Sequence, residues 1–66
     1  MDMADVLLHL SNGRRVRRPH WPTGSYLLQE LFYEIPVAFY YGEEWPKKAV
    51  YSFPLNDLIN DDWELC

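Results

Sequence analysis

Apolar positions change period several times along this chain. Met3, Val6, Leu7 and Leu10 recur at i, i+3, i+4 and i+7, which predicts a helix over Asp2–Ser11. Asp2 is its N-cap and Asp5 complements the positive end of the dipole, while Asn12-Gly13 supplies a left-handed stop. Arg14–Arg18 reads at period two as a short strand. Val16 points inward with Arg14 and Arg18 on its face, and Arg15 and Arg17 point the other way. Pro19–Gly24 is a loop, because two prolines and a glycine forbid a regular ladder. Ser25–Ile35 is the longest extended stretch. Leu27, Leu31, Tyr33 and Ile35 share one face with Gln29, and Tyr26, Leu28, Glu30, Phe32 and Glu34 line the other. Leu27, Leu28, Leu31 and Phe32 also fit a helical turn, but the aromatic and β-branched ending favours a strand.

Pro36 is expected to break that run. Val37–Tyr41 and Ala49–Phe53 then form a hairpin, with Gly42-Glu43-Glu44 and Trp45-Pro46-Lys47-Lys48 as its connection. Pro54–Asn60 predicts a short helix, with Ser52 as a cap and Pro54 tolerated in the first turn. Asp61–Leu65 is a last strand, with Trp63 and Leu65 inward and Asp62 and Glu64 outward. The expected fold class is α+β: one small domain over residues 1–66, an antiparallel sheet of four to five strands and two short helices.

Size sharpens this picture. A chain of 66 residues buries only about 60% of the surface its unfolded form exposes. Three Trp, five Tyr and three Phe supply the missing bulk, and any left exposed mark a contact surface. One cysteine, Cys66, and two distant histidines, His9 and His20, make neither a disulfide framework nor a metal site. His9 lies off the apolar stripe and is expected in solvent. No apolar run approaches the ~18 residues of a membrane span, and the acidic start is unlike a signal peptide. The expectation is a soluble intracellular protein.

Charge is unevenly spread. Residues 1–18 set two Asp against all four Arg, whereas residues 19–66 set eight carboxylates against Lys47 and Lys48. Such a net-acidic body does not draw DNA through its overall field, although it can attract a protein that binds nucleic acid.

No catalytic set is expected. Ser11, Ser25, Ser52 and Thr23 occupy turn or cap positions, Asp61 and Asp62 are adjacent and face apart in a strand, and there is no Gly-rich phosphate loop. Two surfaces remain. Glu43, Glu44, Asp57, Asp61, Asp62 and Glu64, joined by Glu30 and Glu34, can imitate a nucleic-acid backbone, or they are ordinary solvated acidity. Arg15, Arg17 and Trp21 can clamp a phosphate and stack a base. Alternatively, the arginines guard an edge strand and Trp21 plugs the end of the core.

Gly13-Arg14-Arg15-Val16-Arg17-Arg18, Trp21, Gly24-Ser25-Tyr26-Leu27 and Asp57-Leu58-Ile59-Asn60-Asp61-Asp62-Trp63-Glu64 together resemble the phage DUF2829 family. These blocks cover about half of the chain, and Leu28–Phe53 lies outside them. The resemblance implies a small α+β fold and a role for phages against bacterial immunity. Members of the family include Thoeris anti-defence proteins, which sequester a cyclic ADP-ribose signal as oligomers, and an anti-CRISPR protein. The small acidic profile is also similar to type I anti-CRISPR proteins that mimic DNA.

Three expectations follow. The first is a non-enzymatic anti-CRISPR monomer in the cytoplasm of an infected bacterium. It would need no cofactor and would bind neither nucleic acid nor membrane directly. Its acidic face would block DNA binding by a CRISPR effector subunit. The alternative is a nucleotide sponge built on Arg15, Arg17 and Trp21. A third reading is a small phage structural or interaction module.

Overall fold

The structure, a computed structural model, describes residues 1–43 and 48–66. Helix α1 spans Met3–Ser11, and strands β1 (Val16–Arg17), β2 (Tyr26–Phe32), β3 (Ile35–Tyr41) and β4 (Lys48–Val50) follow. Helix α2 (Leu55–Ile59) and strand β5 (Glu64–Leu65) complete the chain. The strands form one antiparallel five-stranded sheet in the order β4-β3-β2-β1-β5. The α+β architecture is therefore as expected. Among the described residues no helix is long and apolar enough to cross a membrane.

Helix α1 starts where its cap dictates: the Asp5 amide donates to Asp2 Oδ1 at 3.0 Å. It ends at Asn12, and Gly13 follows with φ +76. Of the stripe, Val6 and Leu10 are buried and Met3 is half-buried, but Leu7 is exposed. Helix α2 begins from Pro54 without a side-chain cap, so Ser52 does not play that part.

The central correction concerns the stretch read as one strand over Ser25–Ile35. It is a hairpin whose two-residue turn, Tyr33-Glu34, holds both residues at positive φ, 50 and 65. A tight hairpin loop demands that conformation to match strand twist, and Asn-Gly usually supplies it. Pro36 does not break the run but sits inside β3, opposite Leu31. Phe32 and Ile35 close the hairpin as a hydrogen-bonded pair, so Leu31 and Pro36 form the wide pair. The missing N–H of Pro36 therefore faces the outer side of β3, where β4 reaches only Phe39–Tyr41. Strand β4 is shorter than the expected Ala49–Phe53, although the Tyr51 amide still donates to the Ala38 carbonyl at 2.9 Å. Of the expected connection, Glu44–Lys47 lies outside the described residues.

The core lies on one side of the sheet. Val6 and Leu10 of α1 pack on Val16, Leu27 and Trp63, with Met3, Trp21, Tyr40 and Tyr51 around them. Full burial of side chains such as Val6, Val16 and Leu27 stabilises by about 1.5–3 kcal/mol each. Leu65 shares a register position with Val16 but stays exposed at the sheet edge.

The other side of the sheet carries no described helix. Successive pairings place Glu64, Arg17, Tyr26, Tyr41 and Lys48 in one row across all five strands.

Candidate functional site

Four arginines within five residues repel one another, and the fold answers each of them differently. Arg18 shares Val16's face by strand alternation and is therefore carried into the core, only 6% exposed. A buried guanidinium requires a counter-ion. Its Nη1 donates to Asp57 Oδ1 at 2.5 Å and its Nη2 to Asp62 Oδ2 at 3.2 Å. Its Nε lies 2.6 Å from Asp62 Oδ1, an ion-pair contact without hydrogen-bond geometry. The Tyr51 hydroxyl donates to the second Asp57 oxygen, and Trp63 Nε1 donates to the Asp57 carbonyl at 3.1 Å. Hydrogen bonding to Arg18 holds the Asp62 carboxyl below the usual range, and burial, then Asp57, pushes the Tyr51 phenol up.

Arg14 turns back to α1, its Nη1 3.0 Å from His9 Nδ1. Guanidinium can only donate, so this nitrogen of His9 accepts. His9 thus has the local partner that the sequence did not reveal. Arg17 donates through Nη2 to the Trp21 carbonyl at 2.6 Å and through Nε to the Arg18 carbonyl at 3.3 Å. Its Nε also stands 3.6 Å from Glu64 Oε1.

Arg15 is different. Its guanidinium carbon lies 4.4 Å from the centroid of the Tyr26 ring, and among the described residues its side chain has neither a carboxylate nor a hydrogen-bond partner. Arg15, Arg17, Tyr26, Glu64, Leu65 and Cys66 line an open hollow of about 370 Å³ on the helix-free side. Strand β5 builds its outer wall, tied on by the Cys66 amide donating to the Arg15 carbonyl at 3.1 Å. Behind the hollow, Gly24 takes φ +90 in a turn closed by the Ser25 amide on the Pro22 carbonyl. Burial pushes the Cys66 thiol up, so at neutral pH it is protonated and a weak nucleophile.

The row continues beyond the hollow. Tyr26 stacks on Tyr41 with centroids 5.1 Å apart and planes at 12°. Lys48 Nζ stands 4.7 Å from the Phe39 centroid, 5.5 Å from that of Tyr41 and 2.9 Å from Glu30 Oε2. The Tyr41 hydroxyl donates to the same Glu30 oxygen.

The residues expected from sequence are distributed as follows. Arg15 and Arg17 meet in the hollow. Trp21 lies on the core side instead, in edge contact with Tyr40, Tyr51 and Trp63 at 5.4–5.6 Å, so it is the core plug and not the platform. Among the acidic set, Asp57 is buried at 4% exposure and Asp62 is committed to Arg18. Glu64 lies beside Arg17 in the row on the helix-free side. Glu43 is exposed by the Gly24 turn, while the exposed Asp61 accepts the Met1 ammonium through its backbone carbonyl. Glu44 is outside the described residues. Among the described members, Asp57 and Asp62 meet at Arg18 on the core side, whereas Glu64 lies on the helix-free side.

Sequence reading missed Tyr26, Tyr41, Lys48 and Glu30 as neighbours, because their proximity depends on the hairpin register. Among the described residues, no group of His, Cys, Asp or Glu is placed to hold a metal ion. Comparisons of the chain with models of known families, with characterised proteins and with solved structures find no match.

Proposed function

We propose that this chain is a non-enzymatic, phage-type anti-defence protein that sequesters a nucleotide signal in the hollow formed by Arg15, Arg17 and Tyr26. One observation carries this reading. Arg15 is the arginine whose side chain the fold leaves with neither an ion pair nor a hydrogen-bond partner among the described residues, and it rests on an aromatic ring beside an open hollow. A phosphate supplies the charge that guanidinium geometry favours, and the Tyr26–Tyr41 stack, its Tyr26 face covered by Arg15, offers a nucleoside its ring edges. The anti-defence setting comes from the resemblance of the Gly13–Arg18 and Asp57–Glu64 blocks.

The acidic-surface reading, in which a CRISPR effector subunit is blocked, ranks second. Asp57 and Asp62 are bound to Arg18, Glu64 stands 3.6 Å from Arg17 and Glu30 pairs with Lys48, which leaves Glu34, Glu43 and Asp61 as its carboxylates without an ion pair among the described residues of that set.

Calorimetric titration with cyclic ADP-ribose isomers, with solution mass measured in parallel, tests the proposal. Saturable binding is expected, weakened about 10–100-fold by Arg15→Ala, the loss of one charge-assisted contact. Absence of heat with every isomer, together with inhibition of a CRISPR complex that charge reversal at Glu43 and Asp61 removes, would transfer the function to the acidic residues.

A further inference from the structure

The row across the helix-free side has cations at two places. Arg15 and Arg17 stand at the β1 end, and Lys48 stands at the β4 end. Between them lie the stacked rings of Tyr26 and Tyr41. Arg15 covers the first ring at 4.4 Å and Lys48 approaches the second at 5.5 Å. Each end also has a carboxylate at its flank: Glu64 by Arg17 and Glu30 by Lys48. The two pairs are unequal. Arg17 and Glu64 are 3.6 Å apart, and Arg17 is anchored on backbone carbonyls, whereas Lys48 and Glu30 are in full contact at 2.9 Å and both remain partly exposed.

We propose that this row is one ligand site with two anion-binding ends, and that Lys48 is the second end, held on Glu30 until a ligand anion takes its place. This rests on the nucleotide reading of the Arg15 hollow and extends it. The ligand class is a nucleotide with two separated anionic groups: one on Arg15 and Arg17, the nucleoside against the ring edges of Tyr26 and Tyr41, and the second group on Lys48. Charge complementarity selects this occupant. A ligand with one anionic end leaves the Lys48–Glu30 pair intact, and a ligand with two exchanges it for a Lys–phosphate contact. Glu30 is thus a specificity residue. It opposes the second anion by occupying Lys48 and by placing its own negative charge on the same face. Lys48 is a compact point charge on a flexible stem, so it can move from carboxylate to phosphate without rearranging the sheet.

NAD⁺ and NADP⁺ make a matched pair of probes, because the second differs only by a phosphate on the 2′-hydroxyl of the adenosine ribose, separate from the 5′-pyrophosphate. Calorimetry on the wild-type chain is expected to show NADP⁺ binding several-fold tighter than NAD⁺. Lys48→Ala should erase that advantage. Glu30→Gln should enlarge it, since the competing charge goes while the side-chain shape stays. Arg15→Ala should weaken both. Thermal melts of each variant confirm that it is folded, and all three positions lie outside the buried core. If NAD⁺ binds and Arg15→Ala weakens it, yet NADP⁺ is no tighter and neither Lys48→Ala nor Glu30→Gln shifts the ratio, the second end is refuted and the hollow stands. If neither probe nor any cyclic ADP-ribose isomer binds, the two proposals fall together.

Discussion

Arg18 and Asp57, 39 residues apart in the chain, meet at 2.5 Å inside the core. This contact joins the strand after α1 to helix α2, and Asp62 and Tyr51 complete it. It also brings together the Gly13–Arg18 and Asp57–Glu64 blocks. Their pairing in the sequence is thus explained by one buried ion pair before any ligand is considered.

Breaking this pair from one side should be severe. Asp57→Ala leaves a buried guanidinium with one partly exposed partner, and Arg18→Met leaves a buried carboxylate. Each is expected to cost about 3–5 kcal/mol. A domain of this length has roughly 3–10 kcal/mol in total. Urea unfolding should therefore show a sharply lowered midpoint for either single variant. Arg18→Met combined with Asp57→Leu should lose less than the sum.

The pH profile should fall on both flanks. The folded Asp62 carboxyl lies below its usual value because Arg18 hydrogen-bonds it, so its contribution is present above about pH 4 and vanishes as pH drops through the lower folded value. The Tyr51 phenol is raised, first by burial and then by Asp57, so its contribution is present below about pH 10 and is lost as pH rises past that point. Thermal melts across pH should show both losses. Asp62→Asn should flatten the acid limb, and Tyr51→Phe the alkaline one.

Trp21 separates core from site. Its ring meets Tyr40, Tyr51 and Trp63 edge-on, so Trp21→Ala should cost about 3 kcal/mol in urea unfolding. Trp21→Phe should recover most of that loss. If the hollow is the ligand site, Trp21→Phe should leave nucleotide affinity unchanged while Tyr26→Ala weakens it.

The Tyr33-Glu34 turn is strained. A non-glycine residue in the left-handed region costs about 1–2 kcal/mol. Replacing the pair with Asn-Gly should raise stability by about 1 kcal/mol, read as a higher urea midpoint with an unchanged slope. The same substitution leaves the row residues in register and should not change ligand affinity.

These features were not equally legible in the sequence. Helix α1, its Asp2 cap and its Gly13 stop follow from local chemistry, and the Arg14–Arg18 alternation places Val16 and Arg18 on one side as found. The β2–β3 hairpin was hidden because Tyr33-Glu34 carries no turn residue, and because the absent amide of Pro36 does no harm where it faces the open side of β3. That hidden turn set the register, and the register set the row. Tyr26, Tyr41 and Lys48 are 15 and 7 residues apart in sequence and become neighbours only by antiparallel pairing. Asp57 appeared as surface acidity because no local pattern reports a partner so distant along the chain.

The hollow also exists only while β5 is docked. Two ladder residues and the Cys66–Arg15 backbone bond hold that edge strand, and Glu64, Leu65 and Cys66 come away together if it opens. Short edge strands are among the first elements to unzip, well below the free energy of global unfolding. If the hollow is the ligand site, capture is coupled to a local opening equilibrium, since a chain with β5 frayed has half a site. Ligand in turn lowers the population of frayed molecules by mass action. Amide hydrogen exchange at Leu65 and Cys66 then reports occupancy, slowing as the site fills while the amides of β3 remain as they were.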